Sequence, residues 1–338
     1  MNFWFLLVVL LISLLLTGLL RRYAISRKLI DVPNARSSHS IPTPRGGGVA
    51  IVISFLGALS VAYIGNWIDR SVAVALLGSG ALTAVIGFMD DHGHIAARWR
   101  LLGHFSAAVW ALFWLGGMPS INLMGFTVEH GYISAVLGAF YLVWMLNLYN
   151  FMDGIDGLAA GEVVCVCLGA SLIYSVLGFD QLIWAPLVLS MAAMGFLFWN
   201  FPPARIFMGD AGSGFLGIIL AGLSLQAAWA DSRLLWVWII LLGVFIVDAT
   251  LTLFRRLIRG EKVYEAHRSH AYQFASRHYG KHLPVTIAAL LINVLWLLPI
   301  AFCMIYFQLD GLTMVLVAYA PLVWLGFRFN AGQAEQKA

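Results

Sequence analysis

The sequence predicts an all-α integral membrane protein of about eleven transmembrane helices, and three observations carry that expectation. Of its 338 residues, 61% are hydrophobic and only 11% are charged, whereas soluble domains run near a quarter charged. The apolar residues fall into runs of about 20, the length a helix needs to cross a bilayer. Thirteen Trp and 22 Phe suit aromatic belts at the membrane–water boundary. No polar tract is long enough to fold alone, so residues 1–338 read as one polytopic transmembrane domain.

The runs lie near 2–20, 47–64, 72–89, 101–117, 132–149, 158–177, 182–199, 213–230, 234–254, 284–307 and 311–328. The first has no basic segment before it and no small-residue cleavage site after it. Arg21, Arg22, Arg27 and Lys28 follow it instead, so it reads as a retained span rather than a cleaved signal peptide. If the N-terminus lies outside and the spans alternate, one side receives 21–46, 90–100, 150–157, 200–212, 255–283 and the C-terminal tail. Those segments hold 18 of the 20 Lys and Arg, and only Arg70 and Arg233 fall opposite. Basic residues collect on the cytoplasmic side, which places the C-terminus in the cytoplasm. Cys165, Cys167 and Cys303 sit in apolar runs without the spacing of a zinc site, so free buried thiols are expected.

Four polar constellations interrupt this pattern. Asp90-Asp91 closes the third run, and two adjacent carboxylates repel each other unless something cationic joins them. Either they form a solvated helix end, or they serve a divalent cation, which binds through one or two carboxylates plus phosphate oxygens. Between the fifth and sixth runs, Asn147-x-x-Asn150-x-x-Asp153-Gly-x-Asp156-Gly-Leu158 sets polar side chains along one helix face. An N-cap role would account for Asp156 only, and polar groups at membrane depth are costly without a purpose. Asn200 to Ser213 joins the seventh and eighth runs, with Pro202-Pro203 stiffening the turn and Asp210 close to a helix start, where free N–H groups favour anions. Segment 255–283 is basic and contains His267-Arg268-Ser269-His270, whose side chains can donate to phosphate or sugar oxygens. Gly46-Gly47-Gly48 lacks the Lys-Ser/Thr of a P-loop.

By the alternation above, all of these groups fall at one face. Of the sixteen acids, only Glu162 and Asp248 lie inside a run. A carboxylate-rich site with a basic rim at the cytosolic surface suits a phosphate-bearing soluble substrate, a metal, and a lipid whose phosphate lies at the same depth. The competing class is a secondary transporter of a sugar nucleotide or organic anion, but transporters place coupling carboxylates near the midplane.

The chain resembles the polyprenyl-phosphate N-acetylhexosamine-1-phosphate transferases. The matching stretches are Asp31-Val-Pro-Asn34-Ala-Arg36-Ser-Ser-His39 with Pro42-Thr-Pro-Arg45-Gly-Gly-Gly48, the Asp90-Asp91 pair, Asn147 to Leu158, Asn200 to Ser213, and His267 to His270. They run along nearly the whole chain in the family's order. The resemblance implies a multi-pass enzyme of the bacterial inner membrane, its N-terminus periplasmic, with active-site loops 21–46, 90–100, 147–158, 200–213 and 255–283. It implies that Asp210 ligates Mg²⁺ (Mn²⁺ as an alternative), with Asp90, Asp91 and Asp153 beside the metal and Asp156 completing the catalytic acids. Arg45, Asn147, Asn150, Asn200, His267, Arg268 and His270 would bind substrate. The implied partners are a UDP-N-acetylhexosamine, undecaprenyl phosphate and membrane lipid, with no nucleic acid; a homodimer is an open option. Pro42-Thr-Pro-Arg45, and the lack of adjacent histidines in the last loop, point to the O-antigen-type branch rather than the lipid I branch.

Overall fold

A computed structural model describes residues 3–33, 38–39, 41–93, 95–123, 125–261 and 267–334. Asn34 and Arg36 of the N-terminal motif and Lys262 of the basic segment lie outside the described residues. A helix occupies every expected run: α1 (Phe3–Ser26), α2 (Gly48–Ile64), α3 (Arg70–Gly93), α4 (Ala97–Leu115), α5 (Tyr132–Met152), α6 (Leu158–Leu177), α7 (Trp184–Asn200) and α8 (Asp210–Ala230). The ninth run divides into α9 (Arg233–Leu241) and α10 (Gly243–Ile258). After the short α11 (Ala271–Tyr279), the tenth run holds α12 (Leu283–Ile292), a π-helical turn over Asn293–Leu297, and α13 (Leu298–Tyr306). The last run is α14 (Gly311–Arg328). The chain is therefore an all-α integral membrane protein. Among the described residues, seven helices are long and apolar enough to cross a membrane, with α12 to α13 counted as one, and an eighth if the bent α9–α10 pair is one span. Helices α2 and α7 are apolar but only 17 residues long.

Helix ends differ from the apolar runs where polar residues continue a helix past the hydrocarbon. α1 runs on through Arg21 and Arg22, α3 includes Asp90 and Asp91, and α8 begins at Asp210 rather than at 213. The larger departure is the 73° bend between α9 and α10, inside a stretch that hydropathy reads as continuous. A break strands carbonyls that normally accept from the next turn. Here Tyr319 Oη of α14 donates to the Ile239 carbonyl at 2.6 Å, which repairs one of them.

α8 sits at the centre and is buried almost throughout, with α2, α3, α5 and α9 packed around it. Small residues let membrane helices approach closely. At Gly87 of α3 a Cβ would lie 2.5 Å from the Asp210 carbonyl oxygen, so only glycine lets the end of α3 lie against the start of α8. At α1–α7, Ser13 Oγ donates to the Ala192 carbonyl at 2.6 Å. The few strands are short: β1 (Ile30–Asp31) pairs with β2 (Thr43–Pro44), and β3 (Ile121–Leu123) pairs with β4 (Phe126–Val128).

Candidate active site

Five sequence-distant loops meet at one end of the bundle. Main-chain pairing begins the assembly: Phe207 N–H donates to Pro44 O at 2.8 Å, Gly47 N–H to Phe207 O and Gly48 N–H to Met208 O, both at 2.9 Å. This lays Arg45 beside the entrance to α8. Asp91 accepts from the first two N–H groups of α8, Asp210 N at 3.1 Å and Ala211 N at 3.3 Å, and so caps that helix from α3. Arg45 forms an ion pair with the same carboxylate. Gly209 turns the chain into α8 at φ 81°, and a Cβ there would lie 2.8 Å from Asp91 Oδ2. Both the positive φ and the close approach require glycine.

Asp90 is held equally firmly. Ile95 N–H donates to Oδ1 at 2.8 Å and Arg100 Nη1 to Oδ2 at 2.6 Å. The Asp210 carboxyl lies close enough to Asp90 and Asp91 for their charges to act on it. Asp153 follows the end of α5 and faces this group. Burial first, then the charges of Asp210, Asp91 and Asp156, push its carboxyl up to about 7. Asp90, Asp91, Asp153, Asp210 and Arg45 are thus brought together at one end of the bundle. Arg100 was not anticipated, because a salt bridge across a helix–helix corner has no local pattern.

The remaining polar residues divide between the site and its frame. Asn150 Oδ1 accepts from Ser213 Oγ of α8 at 2.7 Å. Asn147 lies one turn deeper, and its Nδ2 donates to the Val143 carbonyl at 2.7 Å. Asn200 is buried at 3% exposure, with its amide clamped between Gly157 N–H at 2.9 Å and the Ile206 carbonyl at 3.0 Å. The geometry makes it a brace between loops 153–157 and 201–209. Asp156 braces too: Oδ2 accepts from Ala204 N–H at 2.9 Å, Oδ1 lies 3.0 Å from His282 Nδ1, and its carbonyl accepts from Thr286 Oγ1 at 2.7 Å.

The basic segment behaves similarly. Arg255 and Arg259 donate to the carbonyls of Ala331 and Gly332, and Arg256 and Arg259 pair with Glu261. This half of the segment is therefore anchored to the C-terminal residues. The His267 and His270 rings stack at 4.9 Å and lie 6.5 and 6.4 Å from Phe151, two residues before Asp153. Burial, then the charges of His270 and Arg256, lower His267 to about 3. It is neutral, with Nδ1 facing Ser269 N–H and Oγ, and so presents Nε2–H as its one donor. Asp248 of α10 accepts from Ala271 N–H and Tyr272 N–H, each at 2.9 Å, which caps α11. Tyr272 Oη then donates to Phe151 O at 2.9 Å. The side chain of Arg268 is half-buried, and its carbonyl accepts from Arg277 Nη2 at 3.1 Å.

Two cavities are lined by residues of the same loops. One of about 690 Å³ is lined by His39, Asp156, Phe207, Arg277, Lys281 and His282 among others. The other, about 570 Å³ and mostly apolar, lies between α10, α11, α12 and α14, with Asp248, Tyr272, Leu322 and Phe329 in its walls.

Among the described residues no three His, Cys, Asp or Glu side chains form a ready-made metal cage. Magnesium seldom uses one: it binds through one or two carboxylates and keeps its other positions for water and substrate phosphate. Asp90 and Asp91 have arginine partners, while among the described residues neither the Asp153 nor the Asp210 carboxylate has an arginine partner. Asp153 and Asp210 thus fit that manner of binding.

Fold and site together define a polytopic membrane protein with an acid cluster, basic rim and paired cavities at one mouth of its bundle. Residues 72–228 match the model of glycosyl transferase family 4. The chain is 31% identical over 268 residues to a probable undecaprenyl-phosphate N-acetylglucosaminyl 1-phosphate transferase of Bacillus subtilis, covering 78% of this chain and 74% of that protein. It is 29% identical over 322 residues to a decaprenyl-phosphate N-acetylglucosaminephosphotransferase of Mycobacterium tuberculosis, covering 85% and 77%. It is 32% identical over 198 residues to a phospho-N-acetylmuramoyl-pentapeptide-transferase of Moorella thermoacetica, covering 54% and 61%. The chain belongs to the polyprenyl-phosphate N-acetylhexosamine-1-phosphate transferase family and is a multi-pass membrane enzyme.

Proposed function

We propose that the protein transfers N-acetylhexosamine-1-phosphate from a UDP-sugar to undecaprenyl phosphate at the cytoplasmic face of a bacterial inner membrane, as the initiating step of O-antigen or related cell-envelope polysaccharide synthesis. The observation that carries this reading is the acid cluster itself: Asp153 and Asp210 face one another's charge while their neighbours Asp90 and Asp91 are held by Arg100 and Arg45. Buried like charges gather at a cost that a bound cation offsets. Asp153 and Asp210 would hold Mg²⁺, or Mn²⁺, which would neutralise charge where two phosphates meet.

In the reaction an oxygen of the lipid phosphate attacks the β-phosphorus of the donor. The bond from that phosphorus to the oxygen bridging the α-phosphate breaks, and UMP leaves with both electrons. A phosphomonoester loses its second proton near about pH 6, so the acceptor needs no base from the protein. What the chain supplies is position and charge, the larger part of phosphoryl-transfer catalysis. Arg45 and Arg100 orient Asp91 and Asp90. His267, neutral, offers Nε2–H to a phosphate or sugar oxygen, and Arg268 and His270 complete the rim. The cavity of about 690 Å³, with Phe207, Lys281 and Arg277 in its walls, accommodates the uridine nucleotide. The apolar cavity beside α10 and α14 accommodates the start of the prenyl chain.

The purified protein, undecaprenyl phosphate and a panel of UDP-N-acetylhexosamines test this, with UMP release followed with and without Mg²⁺. UDP-N-acetylglucosamine is the first donor to try, because the Bacillus and Mycobacterium relatives carry that sugar in their names. Release should require both lipid and metal. Release without lipid, or none beside an active control transferase, would reject the proposal.

A further inference from the structure

His282 enters the sequence only as one more basic residue of 255–283, yet three segments of the chain meet on its ring. Its Nδ1 lies 3.0 Å from Asp156 Oδ1 and its Nε2 lies 2.9 Å from the Ser38 carbonyl oxygen. A carbonyl oxygen can only accept, so Nε2 carries a hydrogen. Nδ1 also accepts from the Asp156 backbone N–H at 3.3 Å, and Asp156 accepts from Ala204 N–H through its other carboxylate oxygen. The ring therefore joins both the backbone and the side chain of Asp156 to the Ser38 carbonyl. Burial alone would lower this histidine, but the hydrogen bond and charge of Asp156 and the Ser38 carbonyl outweigh it and raise it.

Ser38 and His39 line the 690 Å³ cavity together with Lys281 and His282. The His39 ring also meets Phe207 edge-on at 4.8 Å. Ser38 Oγ and His39 Nε2 are buried in this wall with no partner among the described residues. Buried polar atoms without partners are costly, so both indicate a ligand with polar groups.

We propose that His282 is a positioning residue for the donor nucleotide, holding the Ser38–His39 wall and the Asp156 turn in register beside it. The inference rests on the reading of this cavity as the uridine nucleotide site.

The test uses the full-length enzyme, UMP as the binding probe, and two variants that each keep one half of the clamp. Asparagine places its amide where Nδ1 stands, so H282N retains the Asp156 contact and loses the one to Ser38. Glutamine reaches where Nε2 stands, so H282Q keeps Ser38 and loses Asp156. H282N should weaken UMP binding and raise the donor KM about tenfold, with kcat, lipid KM and melting temperature little changed. H282Q should bind UMP within about threefold of the wild type. Unchanged UMP binding in H282N would overturn the proposal. So would a lower kcat at constant donor KM, or a tenfold loss confined to H282Q. Wild-type enzyme that releases no UMP from any UDP-sugar would remove the underlying functional reading instead, and is distinguished by being independent of position 282.

Discussion

At the scale of single residues, the site separates acids that are held from acids that are free. Asp210 faces Asp90, Asp91 and Asp153, and all but Asp153 are fixed by helix N–H groups or arginines. Asp210→Asn removes a candidate metal ligand and also some like-charge repulsion. It should lower kcat by about two orders of magnitude or more, while the melting temperature of the ligand-free protein stays level or rises. Turnover near the wild-type rate would show that Asp210 is not in the reaction. His267 makes a second prediction, about pH. Its folded value of about 3 lies below the ordinary imidazole range, so the unfolded chain takes up a proton that the folded chain refuses. Stability is therefore lost as pH falls below the ordinary value, and the loss levels off only near the folded one. Partial solvent access reduces its size, to about 1 kcal/mol at pH 5. His267→Gln should flatten the melting-temperature profile between neutral pH and pH 5, whereas an equally steep profile would show a protonated ring at this position.

At the scale of elements, the site depends on α3 and α8 meeting end against end. Gly87→Ala would drive a methyl into the Asp210 carbonyl, and one helix must shift. Overpacking of this kind costs about 1–3 kcal/mol, and the cap that Asp91 places on the first N–H groups of α8 would be displaced. Activity should fall further than stability, measured as UMP release against melting temperature; a fully active Gly87→Ala enzyme would show that the two helices can part without harm. The bend between α9 and α10 gives a gentler test. Tyr319→Phe strands the Ile239 carbonyl and should cost about 1–2 kcal/mol, read as an earlier thermal midpoint. These elements also mark how far the sequence could be read. Bilayer thickness sets run length, so every run is helical, although the ninth is broken in two and the tenth carries a π-helical turn. The break after Leu241 was hidden because every residue around it is apolar, and its repair by Tyr319 comes from 80 residues away. Helix ends at Asp90, Asp91 and Asp210 extended beyond the apolar runs because a helix can continue into water once its polar side chains find partners.

At the scale of the whole molecule, the acids and asparagines of the site were legible because polar residues stand out in an apolar chain. Their partners were not. Arg100, Asp248, His282 and the C-terminal carbonyls that hold Arg255 and Arg259 act through pairings set by how helices stack, and these leave no spacing to find. What remains to be tested at this scale is orientation. The five loops that build the site hold 16 of the 20 Lys and Arg, and the same end of the bundle carries the acid cluster. The opposite end has β3–β4, Arg70, Arg233 and a cavity lined by Asp69, Asp180, Gln226 and Trp229, with few cations to retain it in the cytoplasm. Basic loops resist translocation, and a nucleotide-sugar donor made in the cytoplasm would reach the site only from that side. Single cysteines placed in a cysteine-free variant at Thr127 of β4 and at Gly260 should therefore react in opposite ways. In intact cells a membrane-impermeant maleimide should label position 127 and spare 260, and after lysis it should label both. Labelling of 260 in intact cells would turn the basic face outward, and the donor would then have to be something other than a cytoplasmic UDP-sugar.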